Sequence, residues 1–283
     1  MKKLVLLLVT GCITVFSYAQ DAAEKITKGN EALQGKEYAK ALELYESAMS
    51  NLGDVQVPDA INFNIGWAAY NSDSYEKAVQ YFDKAIAAKV QVEKCYEYKA
   101  NAYTKMKKYN EAVETYKKAI EASPAKAAQL SFNAGITAYK GKIYNEALTL
   151  FTTAVDGNYK GATAQYYKAV VCKKLGKNDE YKTTLEEGVA KFAGNKKLTK
   201  ALAQVYVKEG NKLYKKGADI LSKANEKVNT GSLSTADAAY TTEVGKSKKE
   251  FSEALAVLKK AAELDASNAN AKKLIEACNA AMK

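Results

Sequence analysis

The chain of 283 residues contains neither arginine nor histidine, so all 43 of its basic side chains are lysines. Specific readout of guanine and planar recognition of phosphate favour the guanidinium group of arginine, and proton transfer near neutral pH favours imidazole. The absence of both groups disfavours nucleic-acid binding and acid–base catalysis. We therefore interpret the net charge of +11 as a solvated, lysine-rich surface.

Proline is scarce as well, with Pro58 and Pro124 as the only two. The chain is instead rich in Ala, Leu, Glu and Lys, which lose little conformational entropy in helices. A hydrophobic content of 47% is enough to bury a sizeable core in a chain of this length, which argues against disorder. The composition predicts an all-α fold.

Sequence motifs for catalysis and metal binding are also missing. The chain has no G-x-S-x-G elbow, no G-x-x-x-x-G-K-[ST] loop and no C-x-x-C pair. Three of its cysteines, Cys95, Cys172 and Cys278, are widely separated, and we interpret them as small buried hydrophobic residues. We therefore predict a protein that is not an enzyme and that needs no cofactor or metal ion.

The N-terminus has the composition of a secretory signal peptide. Lys2 and Lys3 precede an apolar run that ends at Phe16, and Ala19 supplies a small residue before a cleavage point. The sequence predicts removal of residues 1–19 and export to the periplasm or outer envelope of a Gram-negative bacterium. No later segment approaches ~18 uninterrupted apolar residues, so the mature chain is expected to lack a transmembrane segment.

A lipid anchor is the alternative. Residues 9–12, with the sequence VTGC, resemble the lipobox, in which the cysteine is lipidated and becomes the first residue. Apolar residues continue from Ile13 after Cys12, where a polar tether is expected, so we favour cleavage after Ala19.

Four segments of the chain are near copies of one another. Each begins with a tyrosine and has an alanine three positions later, an aromatic residue seven positions later and a second alanine ten positions later. They start 37, 34 and 35 residues apart, at Tyr38, Tyr75, Tyr109 and Tyr144. This order places the alanines and aromatic residues on one face of a helix, where a neighbouring helix can approach closely.

A second small residue precedes each leading tyrosine by about nine positions, inside another amphipathic stretch. These residues are Gly29, Gly66, Ala100 and Gly135. Turn-forming residues separate the two stretches, so each unit is predicted to be a helix hairpin. A small residue followed by Ala-x-x-x-aromatic, at a spacing near 34 residues, resembles the tetratricopeptide repeat (TPR) family, and Pro124 occupies the place of the family's terminal proline.

The resemblance implies a right-handed α-solenoid of about six helix hairpins within residues 20–266. Four repeats match well, at about residues 22–53, 59–91, 93–125 and 128–160, while a degenerate fifth covers 162–194 and a sixth covers 197–266. Residues 267–283 are predicted to form a capping helix over the last hairpin, because a repeat array otherwise leaves apolar surface in water.

The sixth repeat carries an insertion at about residues 215–248. Apolar and small residues recur there at steps of three and four on both sides of Gly231, through Ala224 before it and through Leu233, Ala236 and Tyr240 after it. This spacing is that of a coiled-coil seam and predicts two lengthened antiparallel helices with Gly231 at the tip. A disordered loop is the alternative, because residues 229–242 are rich in Ser, Thr, Ala and Gly.

In the TPR family, the first helices of successive hairpins line a concave groove that binds peptides or partner proteins. The resemblance places eight groove candidates on these helices: Phe63, Trp67, Tyr70, Asn101, Phe132, Ile136, Tyr139 and Tyr166. Aromatic side chains on a rigid scaffold are typical binding anchors. Packing against a neighbouring helix is the alternative for each of them.

We therefore expect a protein–protein interaction scaffold or adaptor of the bacterial cell envelope, which binds a partner protein or peptide in the groove. The alternative function is that of a structural envelope protein whose lysine-rich surface associates with anionic polymer or lipid. Such an association would weaken steeply with salt.

Overall fold

The computed structural model describes residues 20–52 and 55–283. These residues form thirteen α-helices and no strand, which confirms the all-α prediction. The predicted leader, residues 1–19, and the alternative lipidation site Cys12 lie outside the described residues. No helix within the described ranges is long and apolar enough to cross a membrane. The chain divides into two compact units, which meet in sequence between Gly161 and Ala162.

The first unit contains four antiparallel helix hairpins in succession. Their helices are α1 (residues 20–34), α2 (Tyr38–Ser50), α3 (Ile61–Asn71), α4 (Tyr75–Ala87), α5 (Val92–Lys105), α6 (Tyr109–Ala122), α7 (Ala127–Lys140) and α8 (Tyr144–Asp156). Each leading tyrosine of the sequence pattern is the first residue of a second helix. A short 3-10 turn, Pro124–Lys126, precedes α7 and begins with the predicted terminal proline.

Within these hairpins, a small residue of the first helix faces a buried ring of the second. A methyl group built on Gly66 would lie 2.8 Å from the ring of Phe82, and one built on Gly135 would lie 2.9 Å from the ring of Phe151. Both rings are completely buried. The predicted contact between small and aromatic residues therefore sets the distance between the two helices.

A left-handed residue terminates the first helix of each hairpin in the first unit. Lys36, Asp73, Lys107 and Lys142 have φ values of 60° or 61°. The amide of the next residue donates back to the carbonyl five positions earlier, as from Glu37 to Ala32 at 2.8 Å, which is the Schellman arrangement. Glycine usually occupies this position, so the tight return of the chain imposes the conformation on lysine and aspartate at a cost of about 1 kcal/mol each.

A tyrosine–asparagine hydrogen bond recurs in both units. The hydroxyl of Tyr45 donates to Asn30 Oδ1 at 2.7 Å, and Tyr116 makes the equivalent bond with Asn101. The hydroxyl of Tyr240 donates to Asn225 Oδ1 at 2.9 Å, but this third bond is exposed to solvent. In each case the tyrosine follows the asparagine by fifteen positions, so the contact joins the two arms of one hairpin.

The second unit has one ordinary hairpin, one long hairpin and a terminal helix. Its helices are α9 (Gly161–Lys174), α10 (Asn178–Lys191), α11 (Lys196–Asn229), α12 (Ala238–Leu264) and α13 (Ala269–Ala281). At 34 residues, α11 is about 51 Å long. The insertion is therefore a helical hairpin and not a disordered loop, with Gly231 in the turn at a φ of 72°.

The predicted seam is wrong at Leu233 and Ala236, which precede the first residue of α12. Side chains in the turn hold this segment out of the helix. Asp237 Oδ2 accepts the amide of Ser234 at 2.6 Å, and Ser234 Oγ accepts the amide of Ala236 at 3.2 Å. Such local bonds compete with helix formation.

Small residues continue along α11 at every seventh position. The buried residues of this series are Ala203, Gly210, Gly217 and Ala224. On α12, buried small residues also recur every seven positions, at Ser247, Ala254 and Ala261. A methyl group on Gly210 would lie 2.5 Å from Leu258 Cγ, and one on Gly217 would lie 3.0 Å from the ring of Phe251. The hydroxyl of Ser247 donates to the carbonyl of Gly217 at 2.8 Å, so the two backbones are close along the long hairpin.

The terminal helix covers the base of the long hairpin, as the capping prediction requires. Cys278 is buried beside Ala254 and Leu258, and Leu274 and Ile275 pack against the same cluster. Cys95, Cys172 and Cys278 are all buried and unpaired, and burial raises the pKa of the Cys95 thiol to about 11. These thiols therefore stay protonated near neutral pH, in agreement with their interpretation as hydrophobic residues.

Adding one methyl group at Gly66 tests the contact that spaces the helices. We expect Gly66→Ala to lower the free energy of unfolding by about 1–2 kcal/mol, because the buried ring of Phe82 must move. The urea midpoint at unchanged slope measures this loss. The matched control is Gly245→Ala, where no atom beyond the adjacent backbone of its own helix lies within 4 Å of the added methyl group. Helix propensity should raise the stability of this variant by up to about 1 kcal/mol. Equal effects at both positions would contradict the close-packing account.

Removing the tyrosine hydroxyl tests the recurring hydrogen bond. We expect Tyr116→Phe to cost about 1–2 kcal/mol of unfolding free energy, because Tyr116 is buried and Asn101 loses its donor. Tyr240→Phe removes the same bond at the exposed tip and should cost less than about 0.5 kcal/mol. Urea unfolding of both variants compares them, and a larger loss for Tyr240→Phe would overturn the assignment.

Candidate functional site

The first helices α3, α5 and α7 converge on an open cavity of about 530 Å³ in the first unit. Four of the eight predicted groove residues line it, namely Tyr70 from α3, Asn101 from α5, and Phe132 and Ile136 from α7. We refer to this site as the groove cavity. Its other lining residues are Thr104, Lys105, Lys107, Tyr109, Tyr116, Asn133, Thr137 and Lys140.

Phe132, in the apolar wall of the groove cavity, packs against residues outside the cavity. The Phe132 ring is 6% exposed, with its centroid 6.1 Å from that of Phe151 and 5.8 Å from that of Tyr159. The ammonium group of Lys160 lies 5.0 Å from the Phe132 ring centroid, within the range of a cation–π contact. Phe132 is therefore mainly part of the supporting core, and the half-buried Ile136 beside it supplies the accessible apolar surface.

Hydrogen bonds position the polar part of the wall. Burial raises the pKa of Tyr116, so its hydroxyl stays protonated and donates to Asn101. The hydroxyls of Thr104 and Thr137 lie 3.2 Å apart and join α5 to α7. Because its carbonyl oxygen accepts from Tyr116, the side-chain amide of Asn101 keeps N–H groups that can donate to a ligand.

Lysines are the only charged residues that line the groove cavity. Lys105, Lys107 and Lys140 are exposed, and no carboxylate is among the lining residues. Sequence reasoning missed these lysines. The signal was present, since Lys105 follows Asn101 by four positions and Lys140 follows Ile136 by four, which places each pair on one helix face. The cavity thus favours a ligand with an apolar group and negative charge.

Phe63 and Trp67 lie in an aromatic cluster between α3 and α5. The Trp67 centroid is 4.5 Å from that of Tyr98 and 6.1 Å from that of Tyr70, while Phe63 is 6.1 Å from Phe82 and 6.2 Å from Tyr98. Burial, followed by the nearby Tyr98 and Asp73, raises the pKa of Tyr70. Trp67 is half-buried, and Tyr70 connects this cluster to the groove cavity.

The two remaining candidates have other surroundings. Tyr139 packs against Tyr144 with ring centroids 6.1 Å apart, and it is not among the residues that line the groove cavity. Tyr166 belongs to the second unit, where it contacts Tyr167 edge-on at 5.8 Å and borders the core cluster of Leu185 and Leu198.

In chemical terms, the groove cavity presents apolar, hydrogen-bonding and cationic groups. Within the described ranges there is no group of three or more cysteine and carboxylate side chains that could hold a metal ion. The cavity brings together neither a nucleophile with a base nor a pair of carboxylates.

Two tetratricopeptide repeat family models match the chain, at residues 26–90 and 93–125. No curated protein matches it in sequence. The matched residues include α2, α3, α4, α6 and all of α5 except Val92, and thus nearly all of two of the three helices that converge on the groove cavity.

Solved structures with the same repeats resemble the chain over most of its length. A tetratricopeptide repeat protein from Parabacteroides merdae is 19% identical, with coverage of 92% of this chain and 99% of that one and a TM-score of 0.50. YrrB, a TPR protein with an unusual peptide-binding site, is 17% identical over 67% of this chain and 94% of its own, also at a TM-score of 0.50. A TPR repeats protein from Bacteroides fragilis is 23% identical over 92% and 98%, at 0.38. The family models thus identify tetratricopeptide repeats within residues 26–125, and the two structures with a TM-score of 0.50 share the helical repeat fold of the chain.

Proposed function

We propose that this protein is a scaffold that binds an extended peptide segment of a partner protein in the groove cavity. The observation that carries the proposal is the convergence of Tyr70, Asn101, Phe132 and Ile136 from three successive first helices. Rigid helices that present apolar, polar and charged side chains side by side are suited to binding a peptide in a preformed groove. The peptide-binding site of YrrB, which shares the fold, supports this role.

The chemistry of the groove cavity indicates which segment it accepts. Ile136 and Tyr70 offer half-buried apolar surface to an aliphatic side chain, and the amide groups of Asn101 and Asn133 can pair with peptide bonds. The lysines around them favour an acidic side chain in the same segment. Function by binding, without a catalysed reaction, is part of this proposal. A place in the cell envelope is a further part, and it rests on the predicted leader.

Charging the apolar wall tests the proposal. We expect peptides selected from a displayed random library against the purified protein to combine aliphatic and acidic residues. Ile136→Asp removes the apolar contact and repels the acidic side chain, so it should weaken the selected peptides at least about tenfold in isothermal titration calorimetry.

The matched control for this experiment is Thr153→Asp. Thr153 is exposed on α8, the second helix of the same hairpin as α7, and it gains the same charge. Affinity should change less than about twofold in this variant. Selected peptides whose affinity Ile136→Asp leaves unchanged, or equal losses in both variants, would contradict binding in the groove cavity.

The envelope location is tested by the N-terminus of the protein isolated from cells. We expect mass spectrometry of the envelope fraction to find Gln20 as the first residue, because cleavage after Ala19 leaves it there. A lipidated Cys12 at the N-terminus would establish the lipobox alternative instead. A cytoplasmic protein that retains Met1 would contradict export.

A further inference from the structure

Apart from Lys2 and Lys3 in the predicted leader, the excess positive charge of the chain lies in the second unit. Residues 162–283 contain 23 lysines and 14 acidic residues, whereas residues 20–161 contain 18 of each. The first unit after the predicted leader is therefore formally neutral, and the second carries a charge of +9. Such asymmetry between two parts of one chain indicates an anionic partner for the charged part.

The second unit also has a concave corner where α10 meets the middle of α11. A cavity of about 510 Å³ lies there, and a second of about 270 Å³ adjoins it through the shared lining residues Asn178, Val205 and Lys208. The corner exists because α10 begins at Asn178, whereas α11 continues past it to Asn229. Residues 204–215 of α11, which lead up to the insertion, thus form one wall.

Three lysines form a stripe along this wall. Lys208, Lys212 and Lys215 are exposed, line the 510 Å³ cavity and follow one another at steps of four and three, on one face of α11. None of the ion pairs among the described residues includes them. Glu209 lies on the same wall, but its carboxylate already pairs with Lys182 at 2.8 Å. Lys173 adds a further positive charge at the adjoining cavity, where it lies over the Tyr181 ring.

Of the two acidic residues that line the corner, Asp179 and Glu209, only Asp179 has no ion pair within the described part of the chain. Asp179 lies at the start of α10, and five lysines line the same two cavities. A lysine stripe in close array repels itself, and an acidic ligand relieves that repulsion. Val205 and the aliphatic stems of the lysines give the corner an apolar floor that a purely electrostatic surface does not need.

We propose that this corner binds an extended acidic peptide segment of a partner protein, at an interface separate from the groove cavity. In an extended segment, side chains on the same face recur about every 6.8 Å, while the helical rise is about 6 Å from Lys208 to Lys212 and about 4.5 Å from Lys212 to Lys215. The flexible lysine side chains can span the difference. Acidic residues at alternate positions can therefore meet successive lysines. A concave corner also favours a narrow chain over a flat bilayer, which cannot enter it.

Fluorescence anisotropy of a labelled peptide tests this interface on the purified protein. The probe is a peptide of alternating Glu and Ser residues, and the reference peptide replaces every Glu with Gln. We expect the triple variant Lys208→Gln, Lys212→Gln, Lys215→Gln to weaken binding of the acidic peptide about tenfold at moderate salt, because three adjacent charges are lost. Glutamine preserves helix propensity, so the variant should keep its helical circular dichroism.

The matched control removes the same charge elsewhere in the second unit. Lys248, Lys249 and Lys260 are exposed on α12, and Lys248→Gln, Lys249→Gln, Lys260→Gln should weaken binding less than about twofold. Ile136→Asp in the groove cavity should leave this affinity unchanged, which separates the present proposal from the proposed function. Equal losses in both triple variants would show long-range charge alone and overturn the proposal. Equal binding of the Gln peptide, or stripe-dependent binding of phosphatidylglycerol vesicles without binding of the acidic peptide, would overturn it as well.

Discussion

The approach of a side chain with little or no bulk to a buried aromatic ring is the contact on which the hairpins of the first unit depend. Because Gly66 and Gly135 have no side chain, the rings of Phe82 and Phe151 fill the space that a methyl group would occupy. The two helices can then pack closely enough for a short return, which forces the left-handed conformation onto residues such as Lys107. Repetition of this geometry aligns α3, α5 and α7, and their shared faces produce the groove cavity.

Most of the fold could be predicted from the sequence, because this contact requires small and aromatic residues to recur at regular intervals. The leading tyrosines marked the first residues of α2, α4, α6 and α8, and the seam around Gly231 marked the long hairpin. The seam failed at Leu233 and Ala236, since apolar spacing does not register the bonds that Ser234 and Asp237 make to nearby amides. Hydrogen bonds between polar side chains and nearby amides therefore made α12 begin at Ala238, later than the hydrophobic pattern predicted.

The sequence predicted only part of the candidate site. Tyr70, Asn101, Phe132 and Ile136 meet at one cavity, because helix phase alone decides that they share a face. The position of a residue around the helix axis does not predict how much of that face a neighbouring helix buries. Tyr98 of α5 meets Phe63 and Trp67, so these rings have an aromatic partner between the helices. The lysines were missed because exposed charge carries no core signal, and the corner of the second unit depends on two helices of unequal length, which a repeat pattern does not describe.

The seven-residue spacing of small side chains in α11 and α12 has a consequence for how this protein can vary. Since Gly210, Gly217 and Ala224 occupy equivalent places along the seam, as do Ser247 and Ala254 opposite, the packing of small residues in the hairpin repeats at intervals of one heptad. Loss or gain of one heptad in each helix would preserve this pattern of small residues along the seam. Related proteins can therefore differ in the reach of this arm by steps of about 10 Å while the base that α13 covers stays the same.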